Sequence, residues 1–423
     1  MQWLKEIPSH WEEMRVKYIT NISKGNGITK LDVSSDGDTP CVRYGEIYTK
    51  YNNTFKFCHS ATFKNLISSP RYFEYGDILV SGTGELVEEI GKSVVYIGDE
   101  KCLAGGDIII LKHNQNPIFL NYALNTKYSQ DQKSFGKAKL KVVHISSSEI
   151  GRLFIALPPL AEQEKIVGYL EDKTSKIDAY VADKEKEIEL LQELKQKTIA
   201  DAVTKGLNPD AKMKDSGISW IGVIPEHWEV KRIASLFTGK IQANTDFKYH
   251  HAFKFYYGTL VPKNEVGDVE EYRDTYVKYS VLQKDDIMIN GLNLNYDFVS
   301  QRVAIAPSDG IITSAYVVAR PRKGTNAQYY NYLYKTMDNM KLFHGMGTGI
   351  RLTLSFDEMK KQVVVVPPQD EQQTIVTYIE EKCEKIDKLA SELQSEIDYL
   401  KEYKQRLIAD CVTGQVNVQN EMI

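Results

Sequence analysis

The chain has 423 residues, 42% hydrophobic and 26% charged, with a net charge of −4, an ordinary globular composition with length for two to three domains. Its five cysteines, Cys41, Cys58, Cys102, Cys383 and Cys411, form no CxxC pair. That speaks against a disulfide framework or structural zinc site and fits a reducing cytosol. The absence of a long apolar run and of a signal-peptide core predicts a soluble protein that stays in the cytoplasm.

Taken in chain order, the sequence repeats itself. Ile7-Pro8-Ser9-His10-Trp11-Glu12 opens a first variable segment and recurs as Ile224-Pro225-Glu226-His227-Trp228-Glu229. Within that first segment, Gly76–Gly82, Val94–Ile97 and Asp107–Leu111 read as short apolar strands, followed by a helix near Pro117–Tyr128. Asp285–Gly291, Val303–Ala306 and Tyr316–Ala319 read the same way, with a helix near Gln328–Lys341. Pro158-Pro159-Leu160-Ala161-Glu162-Gln163 matches Pro367-Pro368-Gln369-Asp370-Glu371-Gln372, and the likeness continues through Ile199-Ala200-Asp201 and Ile408-Ala409-Asp410. Both stretches after the prolines are rich in Ala, Glu, Lys, Leu and Gln with apolar positions near a period of 3.6, the pattern of long amphipathic helices. Gly206 has no matching glycine at the corresponding place of the second copy.

The expected boundaries are 1–157 and 220–366 for two mixed α/β domains and 158–206 and 367–413 for the helices. A linker is expected over 207–219 and a tail over 414–423. Charge is divided the same way: 1–155 and 215–365 each carry two more cations than anions, and the acidity lies in 156–214 and 366–423. A surplus of two is a modest phosphate footprint, so a partner is expected to supply part of the positive charge if nucleic acid is bound.

The order IPxHWE, variable segment, PPxxEQ, long helix, given twice, resembles the specificity subunits of Type I restriction–modification systems across essentially the whole chain. The resemblance implies an α+β fold. Two target-recognition domains each read one half of a bipartite double-stranded DNA site, and two antiparallel helices form a coiled-coil spacer. It also implies two modification subunits that use S-adenosylmethionine to methylate adenine, and restriction subunits that hydrolyse ATP with Mg. This chain would then hold no cofactor, metal or catalytic residue of its own. The sequence agrees: no Asn/Asp-Pro-Pro-Tyr/Phe occurs, and Gly84–Ser93, ending Gly91-Lys92-Ser93, spaces its glycines wrongly for a phosphate loop. Asp77 and Asp286 lack the Glu-x-Lys of a metal-dependent nuclease, and His250-His251 reads as a surface pair.

Candidate DNA contacts fall in the variable segments. Lys137, Lys139 and Lys141 alternate and would point one way in an extended stretch, suited to phosphates. Ser81 and Thr83, and Asn290, Asn293 and Asn295, follow matching strands with side chains that can bond base edges; asparagine pairs bidentately with adenine. Ordinary turn asparagines are an equal alternative. Arg351, after Gly345, Gly347 and Gly349, suits a phosphate or guanine edge, with Arg43 and Arg302 as weaker candidates. Trp11 and Trp228 read as packing anchors. Glu162, Gln163, Glu371 and Gln372 are candidates for partner binding, with helix capping as the alternative. A coiled-coil scaffold without DNA specificity is the competing function, but it would not need two dissimilar variable domains in near-identical frames.

Overall fold

The computed structural model describes residues 6–137, 142–264, 267–296 and 301–418. The chain forms two compact units, Met1–Glu185 with Ser395–Ile423, and Lys186–Gln394.

The first unit is built on a five-stranded sheet ordered Thr20–Lys24, Ile108–His113, Ile78–Ser81, Ser93–Tyr96, Thr54–Phe55. The middle pairings are antiparallel, with Ile109 opposite Val80 and Leu79 opposite Val94. These strands read as apolar runs rather than alternations because both faces are covered. Ile78, Val80, Val95, Ile109 and Leu111 face one core, packed against Phe119, Leu120 and Leu124 of the helix Pro117–Asn125. Leu79, Val94, Tyr96, Ile108 and Ile110 face the other, against Val42, Phe55 and Phe73. The two-residue period of the strand sorts neighbours to opposite cores, and a one-residue slip would exchange them. A second sheet, ordered Ser60–Thr62, Thr39–Val42, Cys102–Ala104, Tyr72–Phe73, carries four residues of that second core, Val42, Phe73, Cys102 and Ala104.

The second unit repeats the plan with four strands ordered Phe237–Thr238, Val317–Pro321, Ile287–Ile289, Val303–Ile305. Ile287, Ile289, Val317 and Ala319 pack with Tyr329, Tyr330, Leu333 and Met337 of the helix Ala327–Asn339, while Met288, Ala304 and Val318 face a separate core.

Two short antiparallel pairings bring the repeated motifs together. Glu12–Arg15 pairs with Phe154–Leu157, and Glu229–Arg232 with Val363–Val366. The ladder places each tryptophan beside its unit's prolyl pair, and Trp11 and Trp228 are both buried. The long helices start immediately after, at Leu160–Lys205 and Gln369–Val412. At each start a buried glutamine caps the turn: Gln163 Nε2 donates to Pro158 O (2.9 Å) and Gln372 Nε2 to Pro367 O (2.8 Å). In the first unit Asp178 pairs with Lys404 (2.6 Å) and Glu185 with Lys401 (2.9 Å), so these helix segments run antiparallel. In the second, Lys195 pairs with Asp387 (2.6 Å).

Two expectations change. Residues expected as linker carry the strand Met213–Asp215, paired antiparallel with Val223–Pro225. Gly206 does have a counterpart, Gly414, displaced by one residue from the repeat offset. Both sit at φ near +74°, a left-handed region that spares glycine its steric cost. Gly206 packs on Pro225 and Trp228, and Gly414 on Pro8 and Trp11. Each helix thus ends in the unit of the opposite repeat: Ala202 and Val203 join the second unit's core, and Leu407, Cys411 and Val412 the first's.

Candidate nucleic-acid interface

The strand Ile287–Ile289 runs into a turn whose polar side chains were expected to read bases. Gly291 O accepts from Leu354 N (2.9 Å), and Leu352 O accepts from Leu294 N (3.2 Å). This ties the turn to a hairpin whose tip, Thr348–Thr353, is closed by reciprocal hydrogen bonds of 3.1 and 2.9 Å. Asn295 Nδ2 donates to Ile350 O (3.3 Å). Asn293 is exposed at φ +51°, Asn295 is half-buried, and Arg351 is exposed at the tip. Asn290 Oδ1 accepts from Leu292 N (3.3 Å), a turn-forming contact. The asparagine cluster and Arg351, far apart in sequence, therefore form one surface.

Arg302 organises that surface from beneath. It is 2% exposed, and its guanidinium donates to Asn290 O (3.0 Å), Leu292 O (2.8 Å) and Asn293 O (3.4 Å). Three carbonyls on one fixed cation set the curvature of the turn. The expectation that Arg302 faces DNA is corrected: its side chain is enclosed by the loop it holds. Its backbone N donates to Asp338 (2.6 Å), whose carboxyl burial pushes upward in pKa.

The first unit builds the same bridge 209 residues earlier. Gly82 O accepts from Ile145 N (2.9 Å), and Thr83–Gly84 pairs with Val143–His144. Ser81 is fully buried with its hydroxyl on Thr83 O (2.7 Å), so it shapes the turn and does not reach solvent. Thr83 is 6% exposed, its Oγ1 lying 3.1 Å from His144 Nδ1. His144 is itself exposed. That histidine, which sequence reasoning passed over, is the solvent-facing polar group of the pair. Lys137 was expected to meet phosphate; instead Nζ donates to His144 O and Glu149 Oε1, both at 2.7 Å, with the side chain 13% exposed. Burial pushes the Glu149 carboxyl up, but hydrogen bonds from Lys137 and Ser146 outweigh it and hold the pKa down to about 2. Lys139 and Lys141 lie outside the described residues.

Beside this turn, Asp107 O accepts from Gly82 N (2.7 Å) and Asp107 lines a cleft of about 640 Å³ with Thr29, Lys30, Arg43 and Lys50. Arg43 is half-buried there, its Nη2 on Glu46 at 3.1 Å. The cleft therefore brings Arg43 near the turn after Ser81, though not against Thr83.

The residues expected to bind partners divide. Gln163 and Gln372 are buried in their own helix starts, so the capping alternative describes them. Glu162 and Glu371 meet the histidines of the other motif, His10 at 2.9 Å and His227 at 2.7 Å.

Other polar features have structural roles. Asp286 is clasped by Arg320 at 2.7 Å, and Asp77 by Lys112 at 2.9 Å, each before the central strand. Lys92 Nζ donates to Tyr51 O (3.1 Å), which makes the Gly91-Lys92-Ser93 turn part of the wall. Among the described residues no cluster of histidine, cysteine or carboxylate side chains could hold a metal, and no helix is long and apolar enough to cross a membrane.

Residues 8–190 and 225–399 each match the family described as Type I restriction modification DNA specificity domain. The chain is 25% identical, over 98% of its length and 95% of the relative's, to a Methanocaldococcus jannaschii protein carrying the name of the type I restriction enzyme MjaX specificity subunit. It is 21% identical to the type I restriction enzyme EcoBI specificity subunit of Escherichia coli, over 98% of this chain and 88% of that one. A solved chain from work on assembly and conformational transition of the type I R-M system superposes with a TM-score of 0.71 at 14% identity, covering 97% of this chain and 100% of that one.

Proposed function

Because the chain belongs to the Type I restriction modification DNA specificity family, we propose that each of its two domains reads one half of a bipartite DNA site. The observation that carries this reading is the conserved bridge with exchanged readers. Gly82–Ile145 and Gly291–Leu354 make the same hydrogen bond in the two units. The first unit presents His144 on that bridge, backed by buried Thr83, and the second presents Asn293, Asn295 and Arg351. A constant scaffold with different polar groups suits two ligands of one chemical class and different sequence.

In this reading the chain contributes recognition, and chemistry comes from partners in the cytoplasm. Two modification subunits bring S-adenosylmethionine to adenine, and restriction subunits bring ATP and Mg. Glu162 and Glu371, already paired with His10 and His227, fix the frame to which those subunits attach.

The test is to express the chain with its cognate modification subunit and sequence the methylome, then exchange residues 220–366 for those of a relative. One half of the methylated site should change and the other persist. A change in both halves, or methylation without any fixed sequence, would end the reading.

A further inference from the structure

We propose that Ile350 is a wedge that enters the base stack of the half-site read by the second domain, unstacking one step while Arg351 holds a neighbouring phosphate. The inference rests on the DNA-reading role proposed above and goes further by assigning a mechanical act to one side chain.

Ile350 is 95% exposed, at the end of the Thr348–Thr353 hairpin. A single aliphatic side chain in water is ordinary on a protein surface; what sets Ile350 apart is the rigid backbone that carries it and the exposed Arg351 beside it. The backbone that carries it is held from several sides. Leu352 N bonds Gly349 O (3.1 Å), Asn295 Nδ2 bonds Ile350 O, and fully buried Leu294 packs beneath. Gly347 approaches so closely that a Cβ there would lie 3.0 Å from Leu294 Cδ1 and 2.9 Å from the Leu352 carbonyl carbon. Leu352 itself sits at φ +41°, a conformation that costs a leucine free energy and persists only where surroundings enforce it.

The result is a stiff tip ending in a bare β-branched side chain beside an exposed arginine. The branched Cβ of isoleucine restricts χ1, which limits the freedom lost on insertion. Aliphatic wedges of this kind part base steps and bend the duplex, favouring flexible pyrimidine–purine steps. The position 209 residues earlier is Lys141, so the sequence does not repeat the isoleucine at that offset.

The experiment uses the full chain assembled with its modification subunit. Duplexes carry single 2-aminopurines at each adenine of the half-site governed by residues 220–366. The methylated adenine is left out, because the methyltransferase extrudes it independently. Binding should raise fluorescence severalfold at one position. Ile350→Ala should abolish that rise and weaken binding roughly tenfold, Ile350→Leu should keep both, and Ile350→Lys should keep salt-dependent affinity without the rise. The proposal is overturned by no rise at any position, by a rise unchanged in Ile350→Ala, or by failure of that variant to assemble before DNA is added, which would make Ile350 a protein contact. A complex that binds no duplex selectively would instead remove the DNA-reading role itself.

Discussion

His227 Nε2 lies 2.7 Å from Glu371 Oε2 across 144 residues of sequence, and His10 Nε2 lies 2.9 Å from Glu162 Oε2 across 152. The histidine of one repeated motif thus meets the glutamate of the other, in both units. The variable segment between them is a closed excursion that starts and ends at one clasp, with a short strand pairing alongside. This explains how the excursions can differ in length and surface while the frame stays the same: insertions fall between two points that the clasp holds together.

The clasps are half in solvent, the histidines being 56% and 54% exposed. Their free energy is therefore small, and a double-mutant cycle on His227→Ala and Glu371→Ala should give a coupling of roughly 0.2–1 kcal/mol. The DNA sequence selected should be unaltered. A coupling near zero in thermal or denaturant unfolding would mean that the strand ladder alone fixes the junction.

Arg302 and Arg351 should separate cleanly. Arg302→Ala removes a buried cation from three carbonyls and should cost roughly 3 kcal/mol, with faster amide exchange over residues 290–296. Arg351→Ala should leave stability within about 0.5 kcal/mol and make the salt dependence of DNA binding shallower by about one unit of slope. Equal losses of stability would show that the tip is part of the core.

What the sequence revealed and what it hid follow from range. Strands such as Ile108–Leu111 and the long helices announce themselves through local period, and the 209-residue offset aligns Gly82 with Gly291 and Asp77 with Asp286. The exposure of a polar residue is set by distant chain and is silent locally. Nothing near Ser81 says that it is sealed under Thr83, and nothing near Arg302 says that its acceptors come from residues 290–293. Lys137 looked like one of three alternating phosphate contacts because its partner Glu149 lies twelve residues on. The Asn290–Asn295 turn and Arg351 were each legible as polar loops, but their meeting depends on the hydrogen bonds between Leu294 and Leu352 and between Gly291 and Leu354. Gly414 escaped because it stands one residue short of the repeat offset from Gly206.

The two helix-end glycines give a graded test. A Cβ at residue 414 would lie 2.4 Å from Pro8 Cδ, whereas at residue 206 it would meet Glu371 Oε1 at 3.1 Å and Trp228 Cζ2 at 3.2 Å. Both sites also carry the left-handed penalty, about 1–2 kcal/mol for alanine. Gly414→Ala should therefore lower the melting temperature more than Gly206→Ala, because the proline ring cannot rotate away. The reverse order would mean that the chain beyond Val412 yields more easily than Trp228.

Lys133 offers a prediction in pH. Its side chain is 2% exposed, with Nζ donating to Gly91 O (2.6 Å) and Leu124 O (2.7 Å). Burial pulls its pKa from the ordinary 10.5 down to about 7. Between these values the unfolded chain holds a proton that the folded chain has released, so stability rises with pH by about 1.4 kcal/mol per unit. Well below pH 7 both states are protonated and the slope vanishes, leaving the folded protein with a buried ammonium at its least favourable. Lys133→Met removes the charge and keeps the chain length, at the cost of two carbonyls losing their donor. The stability of the wild type minus that of the variant, from urea unfolding, should be nearly flat below pH 6 and rise by roughly 2 kcal/mol between pH 7 and 9. Parallel curves across that window would place the ammonium in contact with water and remove burial as the cause.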